Sequence, residues 1–243
     1  MGEPTVAVFR PDDGRLEDTV AVLESYGVDP VPDPMLEIEP TGATPRADAD
    51  YAIITSTTGV ERAVAGEWDP GAATVCAIGP RTAGALEDAG YAVEIVPEEY
   101  TSSGLVDVLE REVDGARVEI ARSDHGSAVL PDGLEAAGAY VHETTLYRLV
   151  RPEGSGESAQ LAADGELDAT LFTSPLTVEH FLEAAEARGI REETLSGLEG
   201  TVVAVIGEPT RERAVDLGVD VDVVPADATS ERLVEAALTE LED

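Results

Sequence analysis

The stretch from Val75 to Val106 recurs, without a gap, from Val203 to Val234. Ile78-Gly79, Thr82, Gly90, Pro97, Thr101-Ser102 and Leu105-Val106 are matched by Ile206-Gly207, Thr210, Gly218, Pro225, Thr229-Ser230 and Leu233-Val234, each pair 128 positions apart. Each copy reads as a buried strand, a glycine turn, a helix opened near a threonine, a second strand and a capped helix. Such a duplication points to two similar α/β units facing a shared cleft.

The rest of the chain fits the same plan. Thr5-Val-Ala-Val-Phe9 is a short apolar run ending at Arg10-Pro11 and reads as a buried parallel strand. Leu16, Val20 and Leu23 follow at helical spacing, and Gly27 closes that helix. Pro30, Pro32, Pro34 and Pro40 forbid a helix from Val28 to Pro40, so this segment reads as an extended linker strand. Tyr51 to Ile54 is the next buried strand, ending at Thr55-Ser56, whose hydroxyls can cap a helix near Gly59. Beyond the first copy, Ala116 to Ala121 is a strand that ends at Arg122. A helix from about Ser127 to Ala137 follows, and Tyr140 to Val150, with Tyr147, is a second linker strand. Leu167 to Phe172 is a strand ending at Thr173-Ser174. Thr55-Ser56-x-x-x-Val60-Glu61 recurs there as Thr173-Ser174-x-x-x-Val178-Glu179. The next helix stops at Gly189, and a loop leads into the second copy. Alternating strands and helices imply parallel sheets covered on both faces, and periodicity alone suggests two contiguous halves of about 110 residues.

Charge excludes several functions. The chain has 51 acidic residues against 15 basic ones, a formal net charge of −36, and every basic residue is arginine. The acids are spread through the expected helices and turns rather than gathered in a tail, which reads as a solvated surface suited to a high-salt cytoplasm. A protein that tracks nucleic-acid phosphates needs the opposite sign. Without lysine there is no Schiff-base lysine, no pyridoxal phosphate anchor and no P-loop lysine. The single cysteine, Cys76, lies in an apolar run and reads as a core residue. The N-terminal residues lack a leader pattern, and no apolar run approaches the ~20 residues of a membrane span. The expected location is cytoplasmic, with no membrane partner.

The repeated turns carry the chemistry. Gly79 with Thr82, Gly207 with Thr210, Thr55-Ser56 and Thr173-Ser174 should all lie past the carboxyl ends of strands, where open α/β sheets bind ligands. Helix starts offer free N–H groups and a partial positive potential, so amides and hydroxyls there can hold carboxylates or phosphates without lysine. Taken singly, these Thr and Ser residues are helix caps; their recurrence in both units brings in an anionic ligand held between the units. Other motifs fall short. Ile-Gly-Pro-Arg-Thr and Ile-Gly-Glu-Pro-Thr are not G-x-G-x-x-G. His125, His142 and His180 have no metal spacing to one another or to Cys76. Ser123-Asp124-His125 lacks a nucleophile elbow.

With these residues in place, the chain resembles uroporphyrinogen-III synthase. The likeness rests on Thr55-Ser56, Ile78-Gly79-x-x-Thr82, Thr145-Leu-Tyr147, Phe172-Thr-Ser-Pro175, and Ile206-Gly207-x-x-Thr210 with Pro225 and Thr229-Ser230. It implies two small parallel-sheet, flavodoxin-like α/β domains, one discontinuous, joined by a two-stranded linker. Domain one is then 1–28 with 153–243, domain two 44–138, and the linker strands 29–43 and 139–152. The implied substrate is hydroxymethylbilane, a linear tetrapyrrole with acetate and propionate on each ring, closed with inversion of ring D. No cofactor or metal is implied. Tyr147 is the implied catalytic residue. Thr82, Thr210, Ser56, Ser174, Thr55, Thr173, Gly79 and Gly207 are the implied substrate holders, with Arg10, Arg122 and Arg148 as charge partners. The chain is expected to be a monomer, and hand-over of substrate from the preceding enzyme is left open.

Two rival classes remain on the sequence alone. A non-catalytic two-lobed module for an anionic metabolite shares the fold logic without needing Tyr147. A flavodoxin-like electron carrier needs aromatic stacking, and the chain has only Trp68, three Phe and six Tyr. The charge makes one prediction. Self-repulsion at −36 is screened where the Debye length is about 3 Å. Dialysis to low salt should therefore unfold the protein, read as lost far-ultraviolet circular dichroism, and an unchanged spectrum would refute the high-salt reading.

Overall fold

The computed structural model describes residues 3–11 and 14–242. In chain order the elements are β1 (Thr5–Phe9), α1 (Gly14–Ser25), β2 (Asp29–Pro32), β3 (Glu37–Pro40), β4 (Tyr51–Ile54), α2 (Thr57–Ala65), β5 (Thr74–Ala77), α3 (Pro80–Asp88), α4 (Ser102–Leu109) and β6 (Arg117–Ser123). There follow α5 (Val129–Ala136), β7 (Tyr140–Val150), α6 (Glu157–Asp164), β8 (Ala169–Phe172), α7 (Pro175–Arg188), α8 (Arg191–Leu198), β9 (Val202–Val205), α9 (Glu208–Asp216) and α10 (Ser230–Glu242). The chain forms two units, one of residues up to Glu37 together with those from Val150 onward, the other of Ile38–Leu149. Among the described residues no helix is long and apolar enough to cross a membrane.

The discontinuous unit holds a sheet in the order β2-β1-β8-β9, parallel throughout. A parallel bridge from Ala204 to Val223 extends it beyond β9. Numbered along this unit, the order is 2-1-3-4-5, the flavodoxin-like arrangement. All four residues of β8 are buried, as expected of a strand covered on both faces. One face packs Phe9, Phe172 and Phe181 against Ala159, Ala162 and Leu182 of α6 and α7. Phe9 and Phe172 stack with ring centroids 4.5 Å apart. The other face buries Val6, Val8 and Leu171 under Leu23 of α1 and Leu233 and Val234 of α10.

The continuous unit has the order β3-β7-β6-β4-β5, with β7, β6, β4 and β5 mutually parallel. A parallel bridge from Cys76 to Ile95 extends it beyond β5. Ala52, Ile54, Leu146 and Tyr147 meet Val60 and Leu86 on one face. Ile53, Cys76 and Ile120 meet Leu105, Leu109, Leu130 and Leu134 on the other. Burial, with Glu94 and Glu112 nearby, pushes the Cys76 thiol up to about 12, so it is a packed thiol rather than a nucleophile.

Two sequence expectations are corrected. The second strand of each repeat copy is a single bridge, not a strand. Proline two residues later, at Pro97 and Pro225, removes the donor that further pairing would use. An acid completes the attachment instead: Glu94 accepts from the Val75 N–H at 2.7 Å, and Asp222 from the Val203 N–H at 2.8 Å. These acids also lie 128 positions apart, so the repeat extends to its hydrogen bonds. The loop expected after Gly189 contains α8. Its sequence shows no apolar stripe, since only Thr194 and Leu198 are buried, and it is held by the Thr194 hydroxyl donating to the Ala159 carbonyl.

A buried carboxylate holds the segments through which the chain leaves and re-enters the discontinuous unit. Asp33, just past β2, accepts from Gly156 N at 2.8 Å and Ser158 N at 2.9 Å, and from the Ser158 hydroxyl. It does for α6 what its own N-cap cannot. Gly156 has φ 101°, and an added Cβ would lie 2.5 Å from Ala184 Cβ. Asp33→Ala leaves two buried amides unpaired and should destabilise the protein by about 2–4 kcal/mol. Asp33→Asn, keeping an acceptor oxygen, should cost less; denaturant titration checks the ranking.

Candidate functional site

The positions of the candidate donors follow from strand register. Ile54 pairs with Ala121 at the end of β4, so Thr55-Ser56 leave the sheet beside Arg122, near the end of the pairing of β6 with β7. Phe9 pairs with Phe172 at the end of β1 and β8, so Arg10 and Thr173-Ser174 do the same. In each sheet this central pair is where the strand order reverses and the following helices part, which is where open α/β sheets bind ligands.

In the continuous unit, Ser56 caps α2, its Oγ accepting from Gly59 N at 3.0 Å. The Tyr147 hydroxyl, from β7, lies 3.0 Å from the same Oγ. Tyr147 is 7% exposed, its ring packed in the core beside Leu146 and Ala121, so the phenol is held by its ring as well as by Ser56. Glycine at 59 lets α2 approach the sheet, since a Cβ there would lie 3.2 Å from Ile54 Cγ2. Gly79 is the N-cap of α3, extended and with no side-chain cap, and Pro80 opens the first turn. Thr82, in that turn, is 4% exposed; its hydroxyl makes no hydrogen bond among the described residues. Thr55 is half-buried at the same edge.

In the discontinuous unit, Ser174 caps α7 in a reciprocal capping box with Thr177. The Thr173 hydroxyl donates to the Phe9 carbonyl at 2.7 Å, tying the end of β8 to the end of β1. Gly207 caps α9 as Gly79 caps α3, extended and without a side-chain cap. Thr210 is 2% exposed, and its hydroxyl, like that of Thr82, makes no hydrogen bond among the described residues. The repeat therefore produces the same object twice: a helix start with no side-chain cap, beside a threonine hydroxyl with no partner among the described residues.

The arginines are differently placed. Arg122 is ion-paired with Glu143 and donates to the Ser127 carbonyl, with 12% of its side chain exposed. Arg148 is 61% exposed and 4.0 Å from Glu39. Arg10 is buried and donates to Ser230 at the first residue of α10, beside a cavity of about 170 Å³. The Asp124 carboxyl, raised by burial but lowered more by its bonds to His125 and the Leu149 N–H, sits below the usual range. It anchors the end of β7 to the turn after β6. Among the described residues no hydrogen bond joins Ser123 to His125, so this trio is a turn anchor.

The contact between Ser56 and Tyr147 has no sequence signal, since it joins residues 91 positions apart. The acids at 94 and 222 do leave one, an acidic residue in register in both copies.

Two parallel α/β units of flavodoxin-like strand order, each opening a bare glycine-started helix past its strand ends, define a class of duplicated α/β proteins. A family model described as uroporphyrinogen-III synthase HemD matches residues 17–235, and the chain belongs to that family. It is 36% identical over 231 residues, 88% of this chain and 90% of the relative, to a Methanothermobacter thermautotrophicus protein provisionally named as a uroporphyrinogen-III synthase. It is 27% identical over 154 residues, 62% of this chain and 60% of the relative, to the uroporphyrinogen-III synthase of Chlorobaculum parvum. The fold is that of the crystal structure of a mutant Thermus thermophilus uroporphyrinogen-III synthase, at TM-score 0.69, 19% identity and 98% coverage of both chains. It is also that of the Helicobacter pylori uroporphyrinogen-III synthetase, at TM-score 0.63 and 14% identity over 98% of this chain and 99% of that one.

Proposed function

We propose that the protein is a uroporphyrinogen-III synthase, a lyase that removes water from hydroxymethylbilane and closes it with ring D inverted. Family membership supports the reaction class; the observation that carries the residue-level reading is the Tyr147 hydroxyl 3.0 Å from Ser56 Oγ at the ligand edge of the sheet. The terminal hydroxyl leaves as hydroxide, pushed by the adjacent pyrrole nitrogen, and becomes water with a proton from solvent, which the last ring returns when it regains its aromaticity on closure. The resulting azafulvene cation is attacked by the substituted carbon of ring D, and the spiro intermediate fragments and recloses. The substrate supplies the electrons, so the chain's work is to hold carboxylates, assist departure of the hydroxyl and favour the inverting closure.

Ser56 Oγ already accepts from the Gly59 amide at the positive end of α2. If Ser56 in turn donates to the Tyr147 oxygen, the phenol proton is directed outward, toward a leaving hydroxyl, and each bond polarises the next. A phenol is a poor acid near neutrality, so it donates a hydrogen bond rather than a free proton. The α3 and α9 starts, with Thr82 and Thr210, take carboxylates through neutral donors. The turn hydroxyls of Thr55, Thr173 and Ser174 belong to the same edges, and Arg10, Arg122 and Arg148 are lesser contributors.

Incubation with hydroxymethylbilane, then oxidation and separation of porphyrin isomers, should give the type III product; type I alone would overturn the assignment. Tyr147→Phe should lose about 1–3 kcal/mol of transition-state stabilisation, roughly 5- to 150-fold in kcat, without abolishing type III product. Replacing both Thr82 and Thr210 by valine keeps shape but removes two donors, and should raise KM about tenfold with kcat largely kept. Unchanged affinity would remove these hydroxyls from binding.

A further inference from the structure

We propose that Tyr100 is a substrate-positioning residue of the α3 site, an aromatic platform on which one pyrrole ring of the ligand stacks while that ring's carboxylate takes the bare amides of α3 and the Thr82 hydroxyl. The inference rests on the tetrapyrrole reading above and assigns a ring contact to it. Tyr100 is 61% exposed, yet its base lies directly against the helix start. A Cβ added at Gly79 would be 3.2 Å from Tyr100 Cβ and 3.4 Å from its Cγ. Glycine at the α3 N-cap therefore leaves the amides uncovered and also makes room for the tyrosine beside them.

The ring stands on a fixed corner. Thr101 N donates to the Glu99 carbonyl at 2.7 Å, and Thr101 caps α4 by accepting from Gly104 N at 3.0 Å. Gly104 is packed so closely on that carbonyl that a Cβ would lie 2.1 Å from it. Both flanks of Tyr100 are thus set by backbone contacts, and an aromatic held this way loses little freedom on binding. Its hydroxyl makes no hydrogen bond among the described residues.

The repeat supplies an internal comparison. The residue 128 positions on is Ala228, and around Gly207 the nearest atom to an added Cβ is Pro209 Cδ at 4.0 Å. One helix start has an aromatic wall and its twin is open, so the two cannot hold a ring alike. On so acidic a surface a neutral ring face is the contact that grips a polyanion's apolar part without adding repulsion.

Calorimetric titration of the full chain, in high salt, with a monopyrrole carrying one acetate and one propionate is the test. Tyr100→Ala should weaken binding about three- to tenfold. Tyr100→Phe should match the wild type, and Gly79→Ala, whose methyl displaces the ring, should weaken binding as Tyr100→Ala does. Glutarate, with two carboxylates and no ring, should bind wild type and Tyr100→Ala equally. Equal monopyrrole affinity for Tyr100→Ala and wild type, or a Tyr100→Phe loss as large as that of Tyr100→Ala, would overturn the platform. The isomer assay on the same proteins separates the two readings. Ring-dependent binding without type III product supports the platform and defeats the enzyme, whereas type III product with Tyr100→Ala binding unchanged does the reverse.

Discussion

Two parallel pairings, β1 with β8 and β4 with β6, hold the donors of each candidate site in position. Each joins strands far apart in the chain and runs in register to the last residue of the shorter strand. The residues that follow emerge at one level, and the next helices leave toward opposite faces. The Thr173 hydroxyl on the Phe9 carbonyl closes one of these ends with a hydrogen bond. At the other, glycine at position 59 lets α2 approach, with the Ala121 carbonyl 3.8 Å from where its Cβ would be. A register slip of one residue in either pair would exchange side chains between two differently packed faces and separate the turns.

The donors gathered there are amides and hydroxyls, and the charge distribution explains why. Many of the few cations are engaged within the chain: Arg117 with Asp48 and Asp50, Arg122 with Glu143, Arg213 with Glu179 and Arg232 with Glu235. Most of these pairs are exposed, and such pairs are worth about 0–1 kcal/mol each, so they shape the surface more than they stabilise it. In concentrated salt a cationic side chain is screened within a few ångströms. An amide at a helix start has no flexible stem to order and no counterion to shed, so it keeps its value as an anion donor where an arginine would not.

Legibility in the sequence followed from how local each determinant is. The strands were visible because they are short, apolar and buried on both faces, as in Thr5–Phe9 and Tyr51–Ile54. The glycine turns were visible because Gly79 and Gly207 share one pattern in two places. What stayed hidden depends on partners distant in the chain. Helix α8 has no stripe to read because only Thr194 and Leu198 are buried. Asp33 looks like one more surface acid among 51, and only the fold brings Gly156 and Ser158 to it. Glu119 lies in a buried strand yet is 1% exposed, which composition cannot anticipate for a carboxylate.

That carboxylate follows from how the two units are wired. Numbered by equivalent strands, both sheets contain the order 2-1-3-4-5, with β3 added outside β7 in the continuous unit, and in both the chain is broken between positions 2 and 3. From β2 it runs on to β3 and β4, which holds position 3 of the other sheet, and from β7, position 2 there, it returns to β8, position 3 of the first. The repeat therefore cannot appear as two contiguous halves: strands 3 to 5 recur in one block, while strands 1 and 2 precede that block in one unit and follow it in the other. The returning connection carries α6, whose Ala159 and Ala162 help bury the apolar face of its sheet. The outgoing connection, 41–50, has no helix. The face of β6 and β7 near their amino ends carries Glu119, His142 and Thr144, the first two lining a cavity of about 480 Å³. Glu119 is tolerable there because His142 Nδ1, at 2.7 Å, and the Thr144 hydroxyl satisfy both its oxygens. Glu119 and Thr144 are buried without a helix over them, and Arg46, Asp48 and Ala49 of the outgoing connection line the cavity beside His142, so a polar cluster satisfied within the sheet stands where the other sheet is covered by the apolar side of α6.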